Sequence, residues 1–231
     1  MPQNSLHPAE PFGLRDGALH VEGVAVPRLA TEIGTPFYAY SSAAIAVAHA
    51  RVAAAMAPVG AGICFAVKAN GNVSVLRTLA ALGCGADIVS GGELARARAA
   101  GFPAGRIIFS GVGKDEAELR EAVAAGLRQI NVESVHELRL LRRLATEAGT
   151  RPAVALRVNP DIDAGTHAKI STGRKGDKFG IALDDIPALY AEAASWPEID
   201  LVGLAVHIGS QIADLGAFRR AYGALAGLPA R

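Results

Sequence analysis

Gly62-Ile63-Cys64-Phe65-Ala66-Val67-Lys68-Ala69-Asn70 is the stretch that decides how this chain folds. Alternation along an extended run puts Ile63, Phe65 and Val67 on one side and Cys64, Ala66 and Lys68 on the other. The bulky side suits a covering layer of helices. The small side leaves room beside an ammonium at the strand's C-terminal end, which is where α/β barrels carry their chemistry. A lysine so placed is able to form a Schiff base with a carbonyl compound. Taken alone, the strand reads as one that ends in a surface lysine. The rest of the chain changes that reading.

Working outward, strand-like runs at residues 37–40, 63–67, 86–89, 106–109, 129–132, 153–158 and 201–207 alternate with helix-like runs at 42–57, 73–82, 92–100, 115–125, 135–148 and 184–194, and a seventh helix starts at 213–225. Ser134 before Val135-His136-Glu137 reads as a capping box, and glycines such as Gly126 and Gly149 stand just past helix ends. Regular β-α alternation predicts a parallel sheet with right-handed crossovers. An open dinucleotide-binding sheet lacks support, because no Gly-x-Gly-x-x-Gly follows the first strand. The expected fold class is therefore α/β, a (β/α)8 TIM-type barrel seen through about seven β-α units. Residues 1–35 fall outside the alternation. Ala18-Leu19-His20-Val21-Glu22-Gly23-Val24 reads as a short antiparallel strand and turn, part of a β-rich domain otherwise missing, and residues 36–231 read as the incomplete barrel domain. Such a chain is expected to be an N-terminal portion of a longer protein, poorly stable alone, with unpaired edges at its first and seventh strands.

Composition narrows the function. The 231 residues are 51% hydrophobic, enough for a sizeable core. With 23 basic and 22 acidic residues there is no electrostatic case for nucleic acid or an anionic membrane. Residues 1–12 carry no signal-peptide pattern, and the alanine-rich run at 43–59 reads as a buried amphipathic helix and not a membrane span. Cys64 and Cys84 form no metal-spaced or disulfide pattern. A cytoplasmic enzyme without a metal is the expectation.

Strand parity exposes a repeated design. Ala153, Ala155 and Arg157 share a face, as do Gly203, Ala205 and His207, and Asp87 ends its strand beside Ser90-Gly91-Gly92-Glu93. Small residues followed by one polar group at each C-terminal end make an interior suited to a flat aromatic cofactor. Singly, the residues have plainer readings: Arg157 as a strand-end ion pair, His207 as a satisfied core histidine, Glu93 as a first-turn helix charge, Asp87 as a cap or turn former. After His207, the run Ile208-Gly209-Ser210-Gln211 offers a tight turn, a hydroxyl and backbone N–H groups for a phosphate. The polar stretch at 160–178 is long enough to be a mobile lid whose cations meet substrate carboxylates.

Together, Tyr38-Ala39-Tyr40-Ser41, Phe65-Ala66-Val67-Lys68-Ala69-Asn70, Asp87-Ile88-Val89-Ser90-Gly91-Gly92-Glu93, Asn131-Val132-Glu133-Ser134, Arg157-Val158-Asn159-Pro160, Thr166-His167 through Lys178-Phe179-Gly180 and His207-Ile208-Gly209-Ser210-Gln211 resemble, in order, the pyridoxal-phosphate decarboxylases of the alanine-racemase-like barrel class (fold type III). The diaminopimelate decarboxylase branch, which makes L-lysine from meso-2,6-diaminopimelate in the last step of lysine biosynthesis, is the nearest in pattern. The resemblance implies pyridoxal 5'-phosphate as cofactor and an amino acid as substrate. It implies catalytic roles for Lys68, Asp87 and His207. Cofactor contacts would come from Lys68 as Schiff-base lysine, Asp87 beside it, Glu93 and Arg157 in the network beneath, His207 stacked on the ring and Ser210 on the phosphate. Members of this class complete the site with an eighth strand, a glycine-rich phosphate loop and a Glu-Pro-Gly-Arg motif, in a homodimer whose partner supplies a cysteine. None of those motifs occurs here, so reduced activity of this chain alone is expected. The alternatives are a pyridoxal-phosphate-binding barrel without decarboxylase activity, a racemase, and a decarboxylase for arginine or ornithine. A racemase is disfavoured because Gly71-Asn72 stands where a tyrosine-glycine pair is usual.

Overall fold

The computed structural model describes residues 11–162, 179–210, 212 and 214–228. Strands β1 (Phe12–Arg15), β2 (Ala18–Val21) and β3 (Val24–Ala25) form a small antiparallel sheet, and helix α1 (Val26–Ile33) follows directly. Glu22, at the turn between β2 and β3, ties this sheet to the next helix, α2 (Ser42–Met56). Its carboxylate accepts the Ser41 and Ser42 hydroxyls at 2.8 and 3.1 Å and the Ala43 N–H at 2.9 Å. Those donors, the Ala43 N–H first, pull its pKa below the ordinary value.

From β4 (Cys64–Ala66) the alternation runs through α3 (Val73–Ala81), β5 (Gly85–Ile88), α4 (Gly91–Ala99), β6 (Ile107–Phe109), α5 (Glu116–Ala125), β7 (Gln129–Val132), α6 (Val135–Ala148), β8 (Ala153–Asn159), β9 (Ile181–Ala182), α7 (Ile186–Ala194), β10 (Asp200–Val206) and α8 (Leu215–Ala226). The large sheet has the order β10-β8-β7-β6-β5-β4, all parallel, with β9 pairing the end of β8. Its two faces differ. Ala86, Ile88, Ile107, Phe109, Ile130, Val132, Val154 and Leu156 point into the helical layer and form the core with Leu94, Leu119, Leu138 and Leu141. The alternate positions carry Gly85, Asp87, Gln129, Asn131, Ala155 and Arg157, with Ile108 the one bulky apolar residue among them. Parallel sheets are ordinarily apolar on both faces, so a face this small and this polar is the wall of a site.

Two expectations are corrected. Residues 37–40 form no strand. A strand exists only through its ladder, and among the described residues β4 is hydrogen-bonded to β5 alone. Nor is α2 buried: none of its residues is, and Val47, Val52 and Met56 are exposed. Its apolar side chains ring the helix instead of forming one stripe, so resting on α3 and sending Ile45 to the core covers little of it. The helix ends elsewhere follow the sequence: Gly126 and Gly149 close α5 and α6 in the left-handed conformation. The expected lid at 161–178 lies, from residue 163 on, outside the described residues.

Candidate functional site

The C-terminal ends of the parallel strands open into a cavity of about 400 Å³ lined by Lys68, Val89, the glycine lip Gly111-Val112-Gly113, Arg157, Phe179, His207 and Ser210. Each residue reaches it by local chemistry. Lys68 sits on a single 3-10 turn, Val67–Ala69, that follows β4. Val67 is fully buried and anchors that turn while the lysine stays exposed. Gly111 has φ +98°, and a Cβ there would come 3.2 Å from Val89 Cβ, so only glycine lets the lip fold against β5.

Arg157 is the most constrained of the predicted residues. Its side chain is 10% exposed, and Nη1 reaches both carboxylate oxygens of Glu133 at 2.7 and 2.8 Å. Nη2 donates to the His207 carbonyl at 3.5 Å, and the guanidinium lies 5.8 Å from the Phe179 ring centre. Glu133 Oε1 also accepts the Gly111 N–H at 3.1 Å. One buried carboxylate thus fixes both Arg157 and the lip.

Asp87 lies behind the lining. It accepts the Ser110 hydroxyl at 2.6 Å. Burial pushes its carboxyl up from the ordinary range, and Ser110, then Lys68 and Arg157, pull it back. His207 is exposed at the mouth, yet the protein around it, followed by the cations of Arg157 and Lys68, presses its pKa down. Both influences favour the uncharged ring. Glu93 stands apart from the other predicted residues. It is absent from the lining, and its carboxylate accepts the Val89 N–H at 2.8 Å while Ser90 caps the same helix end. The structure thus brings Lys68, Arg157, His207 and Ser210 to one cavity, puts Asp87 beneath it, and gives Glu93 to helix α4.

Three contributors went unassigned in the sequence. Glu133 lies in the Asn131-Val132-Glu133-Ser134 run, which by itself assigns it no role. Lys114 has a side chain with no exposed surface. It pairs with Glu137 at 2.9 Å, donates to the Gly111 carbonyl, and lies 5.6 Å from the Phe109 ring centre. Burial raises the Glu137 pKa and Lys114 is the main influence lowering it. Ser110 completes the set. A lysine just past a glycine pair in a loop gives no sign that it will be buried; the signal for Glu133 is its place directly after a strand, on the same alternating side as Gln129 and Asn131.

The donor set matches a phosphorylated aromatic aldehyde: an amine at a strand end, an imidazole, a hydroxyl in a glycine turn, and a glycine lip that leaves room for a flat ring. Comparison with known proteins agrees. Residues 42–229 match the family model "Pyridoxal-dependent decarboxylase, pyridoxal binding domain". The chain is 49% identical to the diaminopimelate decarboxylase of Pseudomonas aeruginosa over 217 residues, 94% of this chain and 52% of that protein. It superposes on the crystal structure of diaminopimelate decarboxylase from M. jannaschii in complex with L-lysine with a TM-score of 0.85 at 36% identity, covering 93% of this chain and 51% of that one. The Helicobacter pylori enzyme, also complexed with L-lysine, gives 0.82 at 39% identity, covering 84% and 50%. The chain spans about half the length of the curated relatives it matches. Ser42–Val59 is long and apolar enough to cross a membrane, but the family match takes in all of it.

Proposed function

From the premise that this chain belongs to the pyridoxal-dependent decarboxylases and carries their pyridoxal-binding domain, an α/β barrel of fold type III, we propose that the whole protein removes one carboxylate from meso-2,6-diaminopimelate to give L-lysine. The observation that carries this reading is the convergence of Lys68, Arg157, His207 and Ser210 on one cavity with Asp87 beneath. The relatives' names supply the substrate class, and the L-lysine bound in two of the similar structures supplies the product.

Pyridoxal 5'-phosphate held here supplies an electron sink for the pair left when the carboxylate departs. The chain's own residues do the rest. Lys68 Nζ would hold the cofactor through its aldehyde group. Asp87, buried and hydrogen-bonded, balances the charge on Lys68 Nζ as protons are held and moved there. His207 would offer a flat ring to the cofactor. Ser210 offers its hydroxyl to the phosphate. Arg157, locked by Glu133, forms the floor between lip and histidine. We assign Glu93 to the helix cap and not to the cofactor. Residues 1–35 we assign to a β-rich domain, and residues 36–231 to the barrel; the active form we propose is a soluble cytoplasmic homodimer.

The test is borohydride reduction of the protein with pyridoxal phosphate, followed by peptide mapping. Label is expected on Lys68 and lost in Lys68→Met. Label on another lysine with none on Lys68 sinks the assignment. Carbon dioxide release from meso-diaminopimelate, set against arginine and ornithine, decides the substrate.

A further inference from the structure

Beneath the cavity, three side chains that the proposed reaction does not use form a line. Gln129 opens β7 at the end of the sheet opposite Lys68, and its Nε2 donates to Asn131 Oδ1 at 2.6 Å. Asn131, two residues on and on the same face, donates from Nδ2 to Ser110 Oγ at 2.9 Å. Ser110, just past β6, donates its hydroxyl to Asp87 Oδ1 at 2.6 Å. All three bonds run the same way. We propose that Gln129, Asn131 and Ser110 are positioning residues, a one-way hydrogen-bond chain that keeps Asp87 an anion beside Lys68.

The direction is the argument. With Asn131 donating to it, Ser110 Oγ keeps its own hydrogen for Asp87, whose Oδ1 accepts it. Turning both amides would offer Ser110 an acceptor at Asn131 Oδ1 in place of Asp87, and the carboxylate would lose this donor. A hydrogen bond to a charged acceptor is stronger than one to a neutral acid, so a chain that aims the Ser110 hydroxyl at Asp87 favours the anion. The far end selects that direction. Gln129 borders a second cavity, at the N-terminal end of the strands, that Arg106 and Arg128 also line. Two guanidinium groups lining the same cavity favour an outward carbonyl oxygen on Gln129, in keeping with the inward donation of its Nε2 to Asn131. Around Asp87 the charged and titratable groups are Lys68 past β4, Cys64 in β4, Arg157 in β8 and Glu133 past β7. The cations favour the anion, while Glu133 and burial oppose it, and among the favourable influences the Ser110 hydroxyl ranks first.

The chain is a property of the cofactor-free fold, so its test is separate from the reaction: failure at Lys68 labelling breaks the proposed function, and an unmoved Asp87 titration breaks this inference. Aspartate labelled with ¹³C at the carboxyl is incorporated into the full chain, and the Asp87 resonance is identified by its loss in Asp87→Asn. Ser110→Val and Ser110→Thr have the same shape and differ by the hydroxyl. The Thr variant is expected to titrate as the parent and the Val variant to have its midpoint raised by roughly one pH unit, the worth of a hydrogen bond to a charged acceptor. Gln129→Met, two side chains away, is expected to move the midpoint the same way by a smaller amount. Identical midpoints in the Val and Thr variants, or a Gln129→Met variant that titrates as the parent, overturn the proposal. If Ser110→Val does not fold, as judged by its thermal melt, Gln129→Met and Ser110→Thr decide alone.

Discussion

Helices α4 and α6 begin with the same device and end with different duties. In Val89-Ser90-Gly91-Gly92-Glu93, Ser90 Oγ accepts the Glu93 N–H at 3.2 Å and the Glu93 carboxylate accepts the Val89 N–H at 2.8 Å. In Glu133-Ser134-Val135-His136-Glu137, Ser134 Oγ accepts the Glu137 N–H at 3.2 Å and Glu137 accepts the Glu133 N–H at 3.0 Å. In both the serine caps the helix, but the return bond goes to the residue before the N-cap, so the full capping box expected at Ser134 does not close; the N-cap N–H is not the one its glutamate takes. Around α4 the carboxylate does nothing else that the structure shows. Around α6 Glu137 also meets Lys114, and Glu133, in the place of Val89, meets Arg157 and the lip. A local motif sets how a helix starts. Whether its carboxylate becomes part of a site depends on which cation the neighbouring loop or strand delivers.

That contrast is open to attack, beginning with its largest expected effect. Glu133→Ala leaves the Arg157 guanidinium buried without a counter-charge and should cost about 3–5 kcal/mol by urea denaturation. It should also weaken retention of pyridoxal phosphate. A loss near 1 kcal/mol would mean that the pair is not the anchor it looks to be. Lys114→Met comes next, at about 2–3 kcal/mol near neutral pH. Lys114 is the main influence that lowers the Glu137 pKa, so its removal lets burial drive that pKa further above its unfolded value. A carboxyl with a raised folded pKa gives stability that is fully present below the unfolded pKa and lost as pH rises through the folded one. The Lys114→Met deficit should therefore shrink in acid, towards about pH 5, and a deficit that grows there would refute the pairing.

Ser90→Ala and Ser134→Ala should cost about 1 kcal/mol each and nearly the same amount, because the cap is a local interaction. Unequal costs would show that tertiary context reaches the cap itself. The smallest effect is expected from Glu93→Gln, within about 0.5 kcal/mol, since the amide oxygen still accepts the Val89 N–H. Cofactor retention should be unchanged; a clear drop would return Glu93 to the site.

Much of the wall was legible because strand parity is local. Ala153, Ala155 and Arg157 do share a face opposite Val154 and Leu156, as the period of two demands. Lys68 was visible from the same rule even though its strand is cut to Cys64–Ala66 and a 3-10 turn carries it onward. Less visible were residues whose role depends on a partner far away in sequence. Gln129 and Asn131 alternate with Ile130 and Val132 as any half-exposed strand would, and nothing local says that Asn131 meets Ser110, 21 positions earlier.

The sequence by itself determined the main β-α alternation from β4 onward, the capped helix start at Ser134 and which face of each central strand is apolar, because hydrogen bonds to near neighbours and side-chain alternation set all of these. Tertiary structure alone decided that residues 37–40 stay out of a ladder, that α2 lies uncovered, that Lys114 is buried under the lip, and that Glu133 rather than Glu93 holds the floor of the cavity. Each of those turns on what another segment brings within about 3 Å, and a carboxylate cap looks the same in sequence whether or not a cation arrives beside it.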